Sequence, residues 1–151
     1  MTNNIKLLFK EFSDLSIDDL YAILNLRQQV FVVEQNCPYQ ELDDFDLNCF
    51  HIFGTINDEI ISVGRLIPFL ENKKITIGRI CVRKSFRNKG YANKMMNQLL
   101  YYVDNEFPNL EIELSAQTYL QNFYQSFGFV SKGSPYLEDG IEHVLMKKEF
   151  N

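Results

Sequence analysis

The sequence predicts a mixed α/β (α+β) fold: one domain with a central mixed, mostly antiparallel sheet of about six to seven strands and helices packed against it. Three observations lead there. The chain has 151 residues without a linker-like stretch or internal repeat, which suits one core. Its β-rich runs fall in consecutive groups joined by turn residues, and helical patterns lie between the groups. Its composition, 46% hydrophobic with 13 Phe and 8 Tyr, is ample for a buried interior and argues against disorder.

Residues 5–12 read as a short strand. Ser16, three positions before Asp19, resembles a capping box. Leu20, Ile23, Leu24, Arg27 and Val30 continue at helical spacing, so a first helix is expected over 17–33. Residues 34–48 (EQNCPYQELDDFDLN) carry a proline, many acids and no period, which predicts a long loop with at most a turn of helix. Loops of that length in compact domains are often functional. Strands follow over 49–56 and 60–68, joined at Asn57-Asp58, and after a turn at Asn72 a third runs over 74–83. Helix 90–106 has Ala92, Met96, Leu99, Val103 and Phe107 as its apolar stripe, and Pro108-Asn109 stops it. A strand over 110–116, a short helix over 118–127 ended by Gly128, and two closing strands around a turn at SPYLEDG complete the chain.

No segment offers the ~18 to 20 apolar residues of a membrane span, and the opening MTNNIKLLFKEF lacks the apolar run of a signal peptide; a cytoplasmic location is expected. Cys37, Cys49 and Cys81 form no CxxC pair and are odd in number, so free thiols are expected rather than disulfides or a metal site. The net charge of −5 argues against nucleic acid or an acidic membrane as partner. Yet charge is segregated: Arg83, Lys84, Arg87, Lys89 and Lys94 cluster without an acid, and Glu34, Glu41, Asp43, Asp44 and Asp46 cluster without a base.

The basic cluster surrounds RNKGYA (87–92), where a strand passes into a helix. Backbone N–H groups, the positive helix end and cationic side chains converge there, which makes a phosphate site. Gly90 suits a backbone that takes positive φ or closely approaches a ligand. The spacing is neither the GxxxxGK[ST] of a triphosphatase loop nor the GxGxxG of a dinucleotide fold.

With Arg87, Gly90 and Ala92 in place, RNKGYA resembles the Q/R-x-x-G-x-G/A pyrophosphate loop of the GNAT N-acetyltransferases. The order of elements is similar too, and LSAQTYLQNFYQSFGF (114–129) looks like that superfamily's later motif. More narrowly, FVVEQNCPYQELDDFD (31–46), IGRICV, QNFYQSFGF and EDGIEH resemble the ElaA-type branch over nearly the whole chain. The resemblance implies a GNAT-like sheet whose strand 75–83 splays from strand 110–116, with acetyl-CoA in the gap and no metal. It implies a pyrophosphate held by Arg87, Asn88, Lys89, Gly90, Tyr91 and Ala92, and a pantetheine arm along the backbone of Ile80, Cys81 and Val82, with Asn122 as a further contact.

Direct acetyl transfer to an amine needs a neutral amine, a donor to the oxyanion and a proton for the departing thiolate. Tyr124 matches the GNAT tyrosine that reaches the CoA sulfur, although Leu120, Phe123, Tyr124 and Phe127 also form a stripe that packing alone explains. Many GNAT enzymes carry a carboxylate base on the fourth strand, and this chain offers Arg79 there instead. Candidate bases are therefore His143 and Glu34. Glu34, Tyr39, Asp43 and Asp46 are expected on the acceptor side, drawing a cationic amine of a small molecule or peptide. Tyr- and Phe-rich helix faces are those a homodimer seam would use, and core packing accounts for them equally. Two other readings stay open: an acyl-CoA-binding module without turnover, and a cysteine hydrolase pairing Cys37 with His51 or His143, against which the absence of a nucleophile motif weighs.

Overall fold

The structure, a computed structural model, describes residues 4–149. A seven-stranded sheet runs through it in the order β1-β2-β3-β4-β5-β7-β6. The strands are β1 (Lys6–Glu11), β2 (Phe50–Ile56), β3 (Glu59–Phe69), β4 (Lys74–Val82), β5 (Glu111–Gln117), β6 (Val130–Glu138) and β7 (Ile141–Lys148). Every neighbouring pair is antiparallel except β4 and β5, which are joined through a helix, as a parallel pair requires.

Alternation along the strands feeds a core on each face. On one face, α2 (Tyr91–Glu106) and the short α3 (Gln121–Gln125) cover Ile52, Leu66, Ile75, Ile77, Ile112 and Leu114, with Met95, Met96, Leu99 and Val103 as the buried stripe of α2. On the other face, α1 (Ile17–Gln28) lays Ile23 and Leu26 on Phe53 and Val63, with Val30 just beyond its end in the same cluster. Ser16 caps α1 as its sequence suggests, its hydroxyl accepting from the Asp19 N–H at 3.0 Å. The expected helix over 17–33 is continuous but changes pitch, since residues Gln29–Glu34 are π-helical. Such widened turns are frequent at functional sites.

Of two expected turns, one forms as foreseen and the other does not. Asn57 and Asp58 both take positive φ (50° and 63°), the tight hairpin foreseen. SPYLEDG, in contrast, is not a loop: β6 continues through it to Glu138, and the reversal is confined to Asp139 and Gly140 at φ 51° and 79°. Gly133 at φ 77° begins an irregularity between Lys132 and Tyr136 that absorbs Pro135, so a proline is tolerated in an edge strand.

Candidate functional site

The site is built at one defect in the sheet. β4 and β5 are paired from Lys74↔Glu111 to Ile77↔Leu114; among the described residues no later pair joins them, although β4 continues to Val82 and β5 to Gln117. The divergence begins at a bulge. Arg65 of β3 opposes Gly78 and Val63 opposes Cys81, so Gly64 alone faces Arg79 and Ile80. Arg79 has φ 55°, left-handed backbone for a residue that carries a Cβ. A Cβ on Gly64 would stand 2.6 Å from Ile80 Cδ1, so glycine makes room on the opposing strand. The β4 edge over Ile80–Val82 thus faces a gap rather than a strand.

The basic turn stands at the open end of that gap. Gly90 is the N-cap of α2 at φ 82°, and a Cβ there would meet nothing within 4 Å, so the turn faces open space. Asn88 also takes positive φ, 61°. Arg87 is not directed outward: its Nε donates to the Val82 carbonyl at 2.9 Å and its Nη2 to Glu34 at 2.8 Å. Arg83 likewise faces Glu59, 3.2 Å away, and donates to the Ile60 carbonyl. Lys84, Lys89 and Lys94 remain exposed. What this turn offers to an anion is backbone, helix end and lysines, while Arg87 fixes the turn to β4.

Tyr124, in α3, is 7% exposed, packed edge-on against Phe123 and Phe129. Burial raises its phenol pKa, with Tyr119 and Cys81 adding to the rise, so the hydroxyl keeps its proton at neutral pH. Asn122 lies exposed on the same helix. His143 sits on β7 opposite Gln117 of β5 and Tyr136 of β6. Its Nδ1 lies 2.7 Å from the Ile141 carbonyl, which can only accept, so Nδ1 carries the proton and Nε2 is left as the basic nitrogen, 3.5 Å from Glu138.

The acidic loop differs most from expectation. Asp43 and Asp46 are not free to meet a cationic amine, because arginines from three elements already hold them. Arg27 of α1 donates to both Glu41 oxygens (2.7 and 3.1 Å) and both Asp46 oxygens (2.7 and 3.0 Å). Arg65 of β3 grips Asp43 in two 2.7 Å bonds and touches Asp46 at 3.0 Å. Arg79 of β4 donates to Glu41 Oε1 at 2.8 Å and to its carbonyl at 2.9 Å, and lies 6.0 Å from the Tyr39 ring. Three guanidiniums thus balance three carboxylates. Burial alone would raise the Asp46 carboxyl, but Arg27 and Arg65 outweigh it and hold it below its usual range. Glu34 is similarly committed to Arg87. One signal in the sequence pointed this way: Arg27 occupies an apolar helical stripe, where a charge persists only if paired. Arg65 and Arg79 gave none.

The loop also reaches the far side of the gap. Gln35 and Gln117 exchange amide hydrogen bonds, and the Cys37 thiol donates to the Asp139 carbonyl at 3.2 Å. His51 lies elsewhere, its Nε2 donating to the Asp46 carbonyl at 2.8 Å beside Cys49, so Cys37 and His51 form no dyad. Asp46, Cys49 and His51 do offer ligand atoms within 4.8 Å of one another. Both Asp46 oxygens are engaged by guanidiniums, however, and burial pushes the Cys49 thiol up to about 11, so this donor set suits hydrogen bonding rather than a cation.

Comparison with known proteins places this geometry among relatives. Residues 13–150 match the acetyltransferase (GNAT) domain family. Protein ElaA of Escherichia coli is 42% identical over 140 residues, covering 91% of this chain and 92% of that one, and its crystal structure superposes with a TM-score of 0.91. An acyl-CoA N-acyltransferase from Pseudomonas aeruginosa gives the same TM-score at 34% identity, covering 96% of this chain and 99% of the other. A GNAT acetyltransferase of Elizabethkingia anophelis, solved with acetyl-CoA bound, shares the fold at a TM-score of 0.68 and 18% identity, covering 99% and 100%.

Proposed function

The chain belongs to the GNAT acetyltransferases, in the group that includes ElaA, and from that premise we propose that it transfers an acetyl group from acetyl-CoA directly to an amine of a small molecule or peptide. The observation that carries the reading is the gap between β4 and β5 with the Gly90 turn at its mouth. An anion finds N–H groups, a helix end and Lys84, Lys89 and Lys94 at that turn. A pantetheine arm finds along Ile80, Cys81 and Val82 a strand edge with no strand partner on its β5 side, where bonds come from the backbone whatever the side chain. Asn122 is the added contact.

Acetyl-CoA supplies an activated thioester. The rest falls to the chain. As the amine nitrogen bonds to the carbonyl carbon and the C–S bond breaks, Tyr124 gives its phenolic proton to the departing sulfur, and His143 Nε2 takes the proton that nitrogen loses. The phenolate is then reprotonated from solvent and the His143 imidazolium releases its proton there, which restores both groups. A raised phenol pKa does not disable this acid, because the same burial raises thiols. The Cys81 thiol is an instance within this fold, pushed by burial up to about 12. Glu34, held by Arg87, is the weaker candidate for the base. Tyr39 and the loop around it form the acceptor wall, with Asp43 and Asp46 supporting it from behind. The buried free thiols of Cys37, Cys49 and Cys81 suit a cytoplasmic setting.

Acetyl-CoA titration of the parent and of Gly90→Asp, followed by thiol release with amine panels, tests this. The parent is expected to gain thermal stability with ligand, and Gly90→Asp, which puts a negative charge at the turn, to gain none. Binding without turnover on any amine would favour the non-catalytic acyl-CoA module instead.

A further inference from the structure

Building on the acyl-transfer reading, we propose that Glu41 is a positioning residue for the acyl-CoA arm: with Arg27 and Arg79 it clamps the β4 bulge that holds the sheet open. Arg79 carries a conformation that disfavours any residue with a Cβ, in the middle of a strand. Left to itself the segment would relax toward extended backbone, letting β4 approach β5 beyond Ile77. Glu41 opposes that relaxation with its side chain and main chain together, since Oε1 accepts from Arg79 Nε and the carbonyl from Arg79 Nη2.

The anchor behind Glu41 is rigid. Oε1 also accepts from Arg27 Nε and Oε2 from Arg27 Nη2, and Arg27, 1% exposed in α1, is held on its other side by Asp46. Bidentate, desolvated guanidinium–carboxylate pairs fix geometry in a way that solvated surface pairs do not. The same loop grips the opposing strand, for Arg65 faces Gly78 at the edge of the bulge and is held by Asp43. Both strands of the bulge, β3 and β4, are therefore fixed to residues 41–46, and the strand edge at Ile80–Val82 is placed as a consequence.

The test compares two ligands on folded protein by calorimetric titration: acetyl-CoA, and the 3′-phospho-ADP head of CoA, which reaches the Gly90 turn but not the gap. Arg79→Gln cuts the tie while leaving the Arg27–Glu41 pair, and Glu41→Gln is the second variant. Arg79→Gln is expected to bind acetyl-CoA about tenfold more weakly, the equivalent of one or two misplaced backbone hydrogen bonds, with affinity for the head fragment unchanged. Unchanged acetyl-CoA affinity in folded Arg79→Gln, or equal weakening of both ligands, would overturn the positioning role. Failure of the parent to bind either ligand would instead overturn the acyl-transfer reading on which it rests.

Discussion

Gln35 and Gln117, 82 positions apart, exchange amide hydrogen bonds of 3.3 and 3.2 Å. One residue follows the π-helical end of α1 and the other ends β5, so the pair ties the acidic loop to the strand that diverges from β4. Gln117→Ala should cost about 0.5 to 1.5 kcal/mol, as for an ordinary hydrogen bond. A double-mutant cycle with Gln35→Ala should return coupling of similar size, with faster proteolysis of residues 35–48. Additive effects and unchanged cleavage would show that the pair restrains nothing.

Tyr124→Phe keeps the ring packed against Phe123 and Phe129 and removes only the hydroxyl. Acetyl-CoA affinity and Tm should change little. The value of kcat should fall on the order of 10²-fold, the range for loss of a general acid. An unchanged kcat where chemistry limits turnover would leave Tyr124 a packing residue.

Asp46 and His51 both predict loss of stability in acid. Asp46 has a folded pKa below its ordinary 3.8, so its contribution is complete above that value and disappears as pH falls through the folded one. Burial lowers the His51 pKa from its ordinary 6.5, so the folded state prefers the neutral ring, and that preference likewise erodes as pH falls below about 6.5. Asp46→Asn should cost about 3 to 5 kcal/mol at pH 7, because it leaves buried guanidinium charge uncompensated. The gap in Tm between parent and variant should narrow below pH 4. A gap independent of pH would show that the charge of Asp46 is not what stabilises the loop.

Asp43 is the test of what the acidic loop does. Of the three carboxylates held by Arg27, Arg65 and Arg79 it is the most exposed, its side chain 32% accessible, and Arg65 holds it in two bonds. Asp43→Asn should lower stability by about 1 to 2 kcal/mol and leave KM for a cationic amine nearly unchanged at low and high salt. A several-fold rise in amine KM at low salt that vanishes at high salt would restore direct attraction of the substrate.

The basic turn could be read from the sequence because its requirements are local. Strand, glycine and helix follow one another within residues 74–106, and the positive φ of Gly90 is set by its own backbone. The strand groups, the Ser16 cap and the stripe of α2 could be read likewise, since each depends on neighbours a few positions away. The acidic loop could not. Its acids look free because nothing near them in sequence is basic, and the partners of Glu41, Asp43 and Asp46 lie on α1, β3 and β4, separated from them by up to 38 positions. Only folding brings Arg27, Arg65 and Arg79 together, and only in the low dielectric of that contact do the charges lock into fixed pairs. The bulge at Arg79 belongs to the same class, because left-handed backbone at an arginine has no local cause. Chain-local chemistry thus determined the elements and the basic turn, while long-range ion pairing decided where the sheet opens and what the acidic residues hold.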